Sequence, residues 1–291
     1  MFAKASRRTR VLLRVALYGG LVFVGVPLAF SHVMTKTYPA AELSRPPREY
    51  EELSLLSEGL RLRGWLSKGD PERPAVVIVH GLGDSLESYL EHALLFRQRG
   101  NTVLLVDLRG HGGSQGTQIT LGAREKADVA AAMEELRDRD LARSGIVLMG
   151  HSMGAVAVLL AAADAKDVRG VIVEAPYDTY RNTIAHHARL LYGLPRWVPI
   201  IPLAIAVTEW RAGFRADDVD AVAAAGRIHA PLFAIVDGED TRMTEEIVRR
   251  VYDAHPGPKR LWVAPGVDHV GAILLHEYSS RVRDFLDDNG L

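Results

Sequence analysis

The chain has 291 residues, of which 48% are hydrophobic and 24% charged, and its formal net charge is −1. That balance suits one large soluble core, and a near-neutral chain without a basic, aromatic-interleaved stripe has no field for holding nucleic acid. It has no cysteine, which excludes disulfides, thiol catalysis and cysteine-based metal sites and suits an extracytoplasmic location.

In chain order, Lys4, Arg7, Arg8, Arg10 and Arg14 precede the apolar run Val15 to Phe30, with no acidic residue among them. Residues 1–31 read as a targeting segment, either an uncleaved signal anchor or a cleaved signal peptide, with a buried helix as the third reading. The run holds about 16 residues, or about 20 if it starts at Val11 and Arg14 snorkels, a length between a signal core and a membrane span. By the positive-inside rule its basic end stays in the cytoplasm and the rest is exported. The expected state is membrane-anchored through the N-terminal segment, with secretion after cleavage as the alternative.

Residues 32–48, with Pro39, Pro46 and Pro47, read as an extended linker. Glu52 to Leu56 and Leu60 to Leu66 alternate around a Ser57 to Gly59 turn, the pattern of an opening hairpin. Ala75 to Val79 is a continuous β-branched run, the sign of a strand covered on both faces. His80, Gly81, Leu82 and Gly83 follow it, then a helical pattern over Ser88 to Arg99. A glycine-rich turn there lets a main-chain N–H point into a site at the sheet's carboxyl edge; a plain β-to-α turn with a locally bonded His80 is the simpler reading.

Thr102 to Val106 is the next strand, and Asp107, Arg109 and His111 after it are expected to fix a tight loop by charge-assisted hydrogen bonds. Ala123 to Arg139 is an amphipathic helix, and Ile146 to Met149 a buried strand. That strand runs into Gly150, His151, Ser152, Met153 and Gly154, followed by an alanine-rich helix over Ala155 to Ala163. So sharp a strand-to-helix turn strains its central residue, and glycines on either side remove Cβ atoms that would clash. The Ser152 hydroxyl is left at the sheet edge beside the helix's first free N–H groups.

Val168 to Val173 is a further strand, ending in Glu174. Residues 177–228 are less regular, with Tyr192, Trp197 and the apolar run Val198 to Val207. They read as a small helical cap lining an acyl pocket or touching a membrane, or as a core helix with irregular approaches. The adjacent His186 and His187 diverge on a helix and make a poor metal pair. Leu232 to Val236 and Arg260 to Ala264 are the last strands, Glu245 to Ala254 and His276 to Asp288 the last helices. His269 follows the final strand.

Alternating strands and helices predict a mostly parallel central sheet with helices on both faces, in which every strand delivers its loop to one edge. Ser152, an acid after the penultimate strand and His269 can meet there. A serine hydroxyl needs a base in hydrogen-bond reach, and the base needs an anion to hold its tautomer.

The GHSMG turn, the HGLG turn, DLRGHGGS and the late PGVDHV together resemble the α/β-hydrolase superfamily, over residues 49–291. The chain is similar in particular to compact serine hydrolases that include acylglycerol lipases, Bem-type membrane-anchored hydrolases and serine aminopeptidases. The resemblance implies the α/β-hydrolase fold, with Ser152 as nucleophile, His269 as base and the N–H groups of Leu82 and Met153 as oxyanion donors. It also implies no metal and no organic cofactor. One departure stands out: the family's acid usually lies three residues after the glycine ending the penultimate strand, where this chain has Thr241. Asp240 is the expected acid, with Asp237, Glu239 and Glu174 as alternatives.

The expected activity is hydrolysis of a carboxylic ester, lipidic in character, through an acyl-enzyme on Ser152, with amide or peptide cleavage left open. The alternative is a binding or scaffold protein on a hydrolase fold, which the distance between Asp240 and His269 would discriminate. Oligomeric state and acyl specificity are not legible at this level.

Overall fold

In the computed structural model, which describes residues 6–291, eight strands form one sheet. In chain order they are β1 (Glu51–Ser57), β2 (Leu60–Ser67), β3 (Ala75–Val79), β4 (Val103–Val106), β5 (Ile146–His151), β6 (Val168–Glu174), β7 (Leu232–Asp237) and β8 (Lys259–Ala264). Their spatial order is β8, β7, β6, β5, β3, β4, β2, β1. The opening hairpin pairs antiparallel, β2 meets β4 antiparallel, and every other neighbouring pair is parallel. In β1 Leu53, Leu55 and Ser57 point inward and their neighbours outward, the period-2 pattern of a one-sided strand. β3, β4 and β5 are buried at every residue, as strands covered on both faces must be.

The helices are α1 (Arg7–Met34), α2 (Leu90–Gln98), α3 (Glu125–Asp138), α4 (Met153–Ala162), α5 (Tyr180–Tyr192), α6 (Ile200–Ala212), α7 (Ala221–Ala225), α8 (Glu245–Ala254) and α9 (Tyr278–Asp288). One sheet face packs on α3, α4, α7 and α8, through Val129, Val156, Ala224 and Val248. The other packs on α2 and α9, through Phe96, Val282 and Phe285. Helix α4 is buried along its whole length, and its sequence is accordingly apolar all round.

The loop after β4 is fixed as its charges suggest. Asp107 accepts from the N–H of Leu86 and of Gly113, both at 2.8 Å. Arg109 lies against Asp128, donating from Nη2 at 2.7 Å and from Nε at 3.0 and 3.1 Å. Both partners are buried, so each compensates the other's desolvation.

Helix α1 runs to Met34, past the expected end of the targeting segment. Its last third is docked: Pro27 and Ser31 are buried, and Arg211 on α6 donates to the Ser31 hydroxyl at 3.0 Å. The following residues stay on the body, with Tyr38–Pro39 paired in parallel with His111–Gly112.

Candidate active site

Ser152 sits between β5 and α4 with φ +52° and ψ −116°, a conformation that costs a residue with a Cβ. The turn is this tight because backbone passes where side chains would be. A Cβ on Gly150 would stand 2.4 Å from the Gly154 carbonyl oxygen, and one on Gly154 would stand 2.4 Å from that of His80. The two glycines therefore let the helix start directly against β3.

The Ser152 Oγ lies 2.9 Å from Nε2 of His269, and Nδ1 of His269 lies 2.5 Å from Oδ2 of Asp240. The three side chains thus form a continuous hydrogen-bonded chain at the carboxyl edge of the sheet. Asp240 is held from its other side as well, accepting at Oδ1 from the N–H of Arg242 at 2.7 Å and of Met243 at 3.0 Å. Burial alone would raise its carboxyl, but the hydrogen bond and charge of His269, with these amides, bring it below the usual carboxylate range.

Of the other acids weighed from sequence, Glu174 and Asp237 do something different. Asp237 accepts from Val270 N–H at 2.8 Å and Gly271 N–H at 3.3 Å, and Glu174 accepts from Ala272 N–H at 3.0 Å. Together they clamp the loop just after His269. Glu239 is an exposed loop residue, and Asp268 caps the N–H of His269 at 2.7 Å.

Gly81, Leu82 and Met153 line the same site as Ser152. Neither the Leu82 nor the Met153 N–H donates to a partner among the described residues. His80 is spent locally: its Nε2 accepts from Leu108 N–H at 3.0 Å, which leaves Nδ1–H to donate to the Gly81 carbonyl at 2.7 Å. It shapes the turn that presents Leu82.

Over Ser152 opens a cavity of about 890 Å³. Its walls come from the β3 turn, the His269 loop, helices α5 and α6, and the last third of α1, which supplies Val26, Ala29, Phe30, Val33 and Met34. His187 also reaches it, whereas His186 bonds to the Thr241 carbonyl outside. The α1 contribution is not visible in sequence. Its only trace is that Phe30 and Met34 fall one helical turn apart, beside the buried pair Pro27 and Ser31.

Among the described residues, two groups have donors close enough for a metal: His92, His151 and Glu174, and Asp237, Asp240 and His269. In the second group Nδ1 of His269 is already engaged by Asp240. In the first, burial drives His151 well below its ordinary value and His92 to about 4, so both are neutral imidazoles packed edge-on with ring centroids 4.6 Å apart.

Comparison with known proteins agrees with this architecture. Residues 70–206 match the family described as serine aminopeptidase, S33. The chain is 31% identical over 219 residues to the uncharacterised protein YqkD of Bacillus subtilis, covering 73% of this chain and 71% of that one. It is 23% identical over 245 residues to the uncharacterised membrane protein YNL320W of Saccharomyces cerevisiae, covering 83% and 81%. Among solved structures, the Pyrococcus furiosus esterase Pf2001 superposes with a TM-score of 0.70 at 26% identity, over 87% of this chain and 98% of that one. A nucleophile-elbow turn, the sheet order and these likenesses agree that the chain belongs to the α/β-hydrolase superfamily.

Proposed function

We propose that the protein is a serine hydrolase that cleaves a carboxylic ester through an acyl-enzyme on Ser152. The observation that carries this reading is the unbroken contact from Ser152 Oγ to His269 Nε2 and from His269 Nδ1 to Asp240, at the floor of a large cavity. The same contact favours an enzyme over a scaffold that has lost its acid.

In this reading Ser152 Oγ attacks the ester carbonyl while its proton passes to His269 Nε2. Asp240 fixes the tautomer that leaves Nε2 free to accept, and stabilises the imidazolium that forms. The developing oxyanion accepts hydrogen bonds from the Leu82 and Met153 N–H groups, which have no competing acceptor among the described residues. Collapse expels the alcohol, which takes the proton from Nε2. Water then attacks the acyl carbonyl as it gives a proton to His269 Nε2, and collapse breaks the bond to Ser152 Oγ, which takes that proton back as the acid leaves.

An ester is favoured over a peptide by the cavity wall, where Phe30, Leu121, Ile184, Leu191 and Ile201 offer hydrocarbon rather than paired charges. The likeness to an esterase points the same way.

Fluorophosphonate labelling of the full-length protein in detergent tests the reading, because the probe reacts only with a serine activated by its base. Labelling lost in Ser152→Ala and His269→Ala and slowed in Asp240→Asn is the expected result. A folded wild-type chain that stays unlabelled, and inert to a panel of esters, would overturn it.

A further inference from the structure

Resting on that reading, we propose that the N-terminal helix is a wall of the active site as well as an anchor, and that the ester enters from the bilayer with its acyl chain lying along the helix. Helix α1 is 28 residues long, and its most apolar window is only 6% buried within the protein. Basic residues cluster at its start, and the stretch from Val11 to Phe30 spans about 30 Å at 1.5 Å per residue, the thickness of a bilayer's hydrocarbon core.

That length creates an overlap. The same residues that complete the span, Val26, Ala29 and Phe30, also line the cavity over Ser152. A helix that crosses a membrane and a cavity that borrows the end of that helix cannot be far apart. The cavity therefore borders the membrane surface.

The side chains around this junction suit such a position. The last third of α1 packs along α6, where Arg211 donates to the Ser31 hydroxyl, and Val26 lines the cavity together with Leu191, Tyr192 and Ile200. The residues flanking the α5–α6 connection thus share the cavity wall with Val26, the first residue of the docked part of α1. Leu191, Tyr192 and Trp197 in and before that connection are 64%, 71% and 77% exposed, and Arg196 beside them is exposed too. Aromatic rings with a polar edge, flanked by a cation, are what a headgroup boundary accommodates and what plain water disfavours. Leu191 and Tyr192 belong to both the exposed rim and the cavity lining, so the rim that meets the lipid is also a mouth of the site. An acyl chain leaving the leaflet there stays against hydrocarbon all the way to Ser152, and the transfer costs little desolvation.

The test uses the full chain in phosphatidylcholine vesicles, with two substrates: a water-soluble butyrate ester, and an oleoyl monoester dissolved in the bilayer. The wild type is expected to cleave both. Ala29→Trp and Val33→Trp, which fill the α1 side of the cavity, are expected to lower the ratio of oleoyl to butyrate turnover at least tenfold. Trp197→Ser is expected to raise KM for the vesicle substrate. Because the readout is a ratio within one preparation, partial misfolding does not mimic it. As an independent measurement on the wild type, a diazirine-bearing acyl lipid should crosslink to peptides covering residues 26–34 and 190–201. Butyrate cleavage without oleoyl cleavage, an unchanged ratio in the tryptophan variants, or crosslinks confined to residues before 26 would each overturn this inference while leaving the esterase standing. A chain that cleaves neither ester and takes no fluorophosphonate overturns both.

Discussion

Asp237 and Glu174, at the carboxyl ends of neighbouring strands β7 and β6, grip one segment between them, the three residues that follow His269. Neither touches the imidazole through a hydrogen bond. They set where its backbone is allowed to be. Asp237→Ala strands two N–H groups, and hydrogen bonds to a charged acceptor are worth about 1.5–3 kcal/mol each. The expected result is a kcat lower by about 10- to 100-fold with KM little changed, and partial recovery in Asp237→Asn, measured by steady-state kinetics on a soluble ester.

The same pair makes stability depend on pH in a definite direction. Burial, reinforced by the charge of Asp237, raises the Glu174 carboxyl well above its ordinary value of 4.5. The folded chain therefore holds a proton that the unfolded chain releases near that value. Its contribution is complete below about pH 4.5 and drains away as the pH rises toward the folded-state value. Glu174→Gln, which mimics the protonated form, should show a smaller loss of Tm between pH 5 and pH 8 than the wild type. Parallel curves in differential scanning fluorimetry would refute the assignment.

Asp240 titrates in the opposite sense. Its carboxyl is held below the ordinary value of 3.8 in the folded protein, so its stabilisation is present above that value and lost as the pH falls through the folded one. Asp240→Asn should remove part of the acid-side destabilisation below about pH 4. It should also lower kcat by about 10³- to 10⁴-fold, because an amide in place of the carboxylate no longer secures the tautomer with Nε2 free. A variant retaining most of its turnover would point to another acid.

Gly154 is a purely geometric requirement, and Gly154→Ala tests it. Its new Cβ would meet the His80 carbonyl oxygen at 2.4 Å, a backbone atom with no flexible side chain to yield. Overpacking of this kind costs about 1–3 kcal/mol. Helix α4 must also shift, carrying the Met153 N–H with it. The expected outcome is a lower urea midpoint together with slower fluorophosphonate labelling, the second effect being larger than stability loss alone would give.

Much of this arrangement was legible in the sequence, for reasons that can be named. A strand covered on both faces is written as an unbroken apolar run, which bounds β3 to the residue, and the amphipathic spacing of Ile247, Val248 and Val251 bounds helix α8 as closely. Strands β5, β6 and β7 run on to His151, Glu174 and Asp237, because pairing continues past the last apolar side chain. The meeting of Ser152 with His269 follows from topology, since parallel strands present all their following loops at one edge. The distinction between Asp240 and Asp237 does not, because it turns on which carboxyl faces the imidazole and which faces the amides beyond it. The docking of α1 lay furthest from view. The bond from Arg211 to Ser31 joins residues 180 positions apart, and no local pattern announces such a contact.

The backbone at Ser152 is bent into a region that glycine enters freely and serine does not. Ser152→Gly should therefore fold into a more heat-resistant protein than the original, by about 1 kcal/mol or more. A laboratory selection that rewards thermal persistence alone would discard the hydroxyl early, yielding a sturdier and inert molecule. In the proposed reading, what such a selection would count as a defect is a position where stability is given up for reactivity.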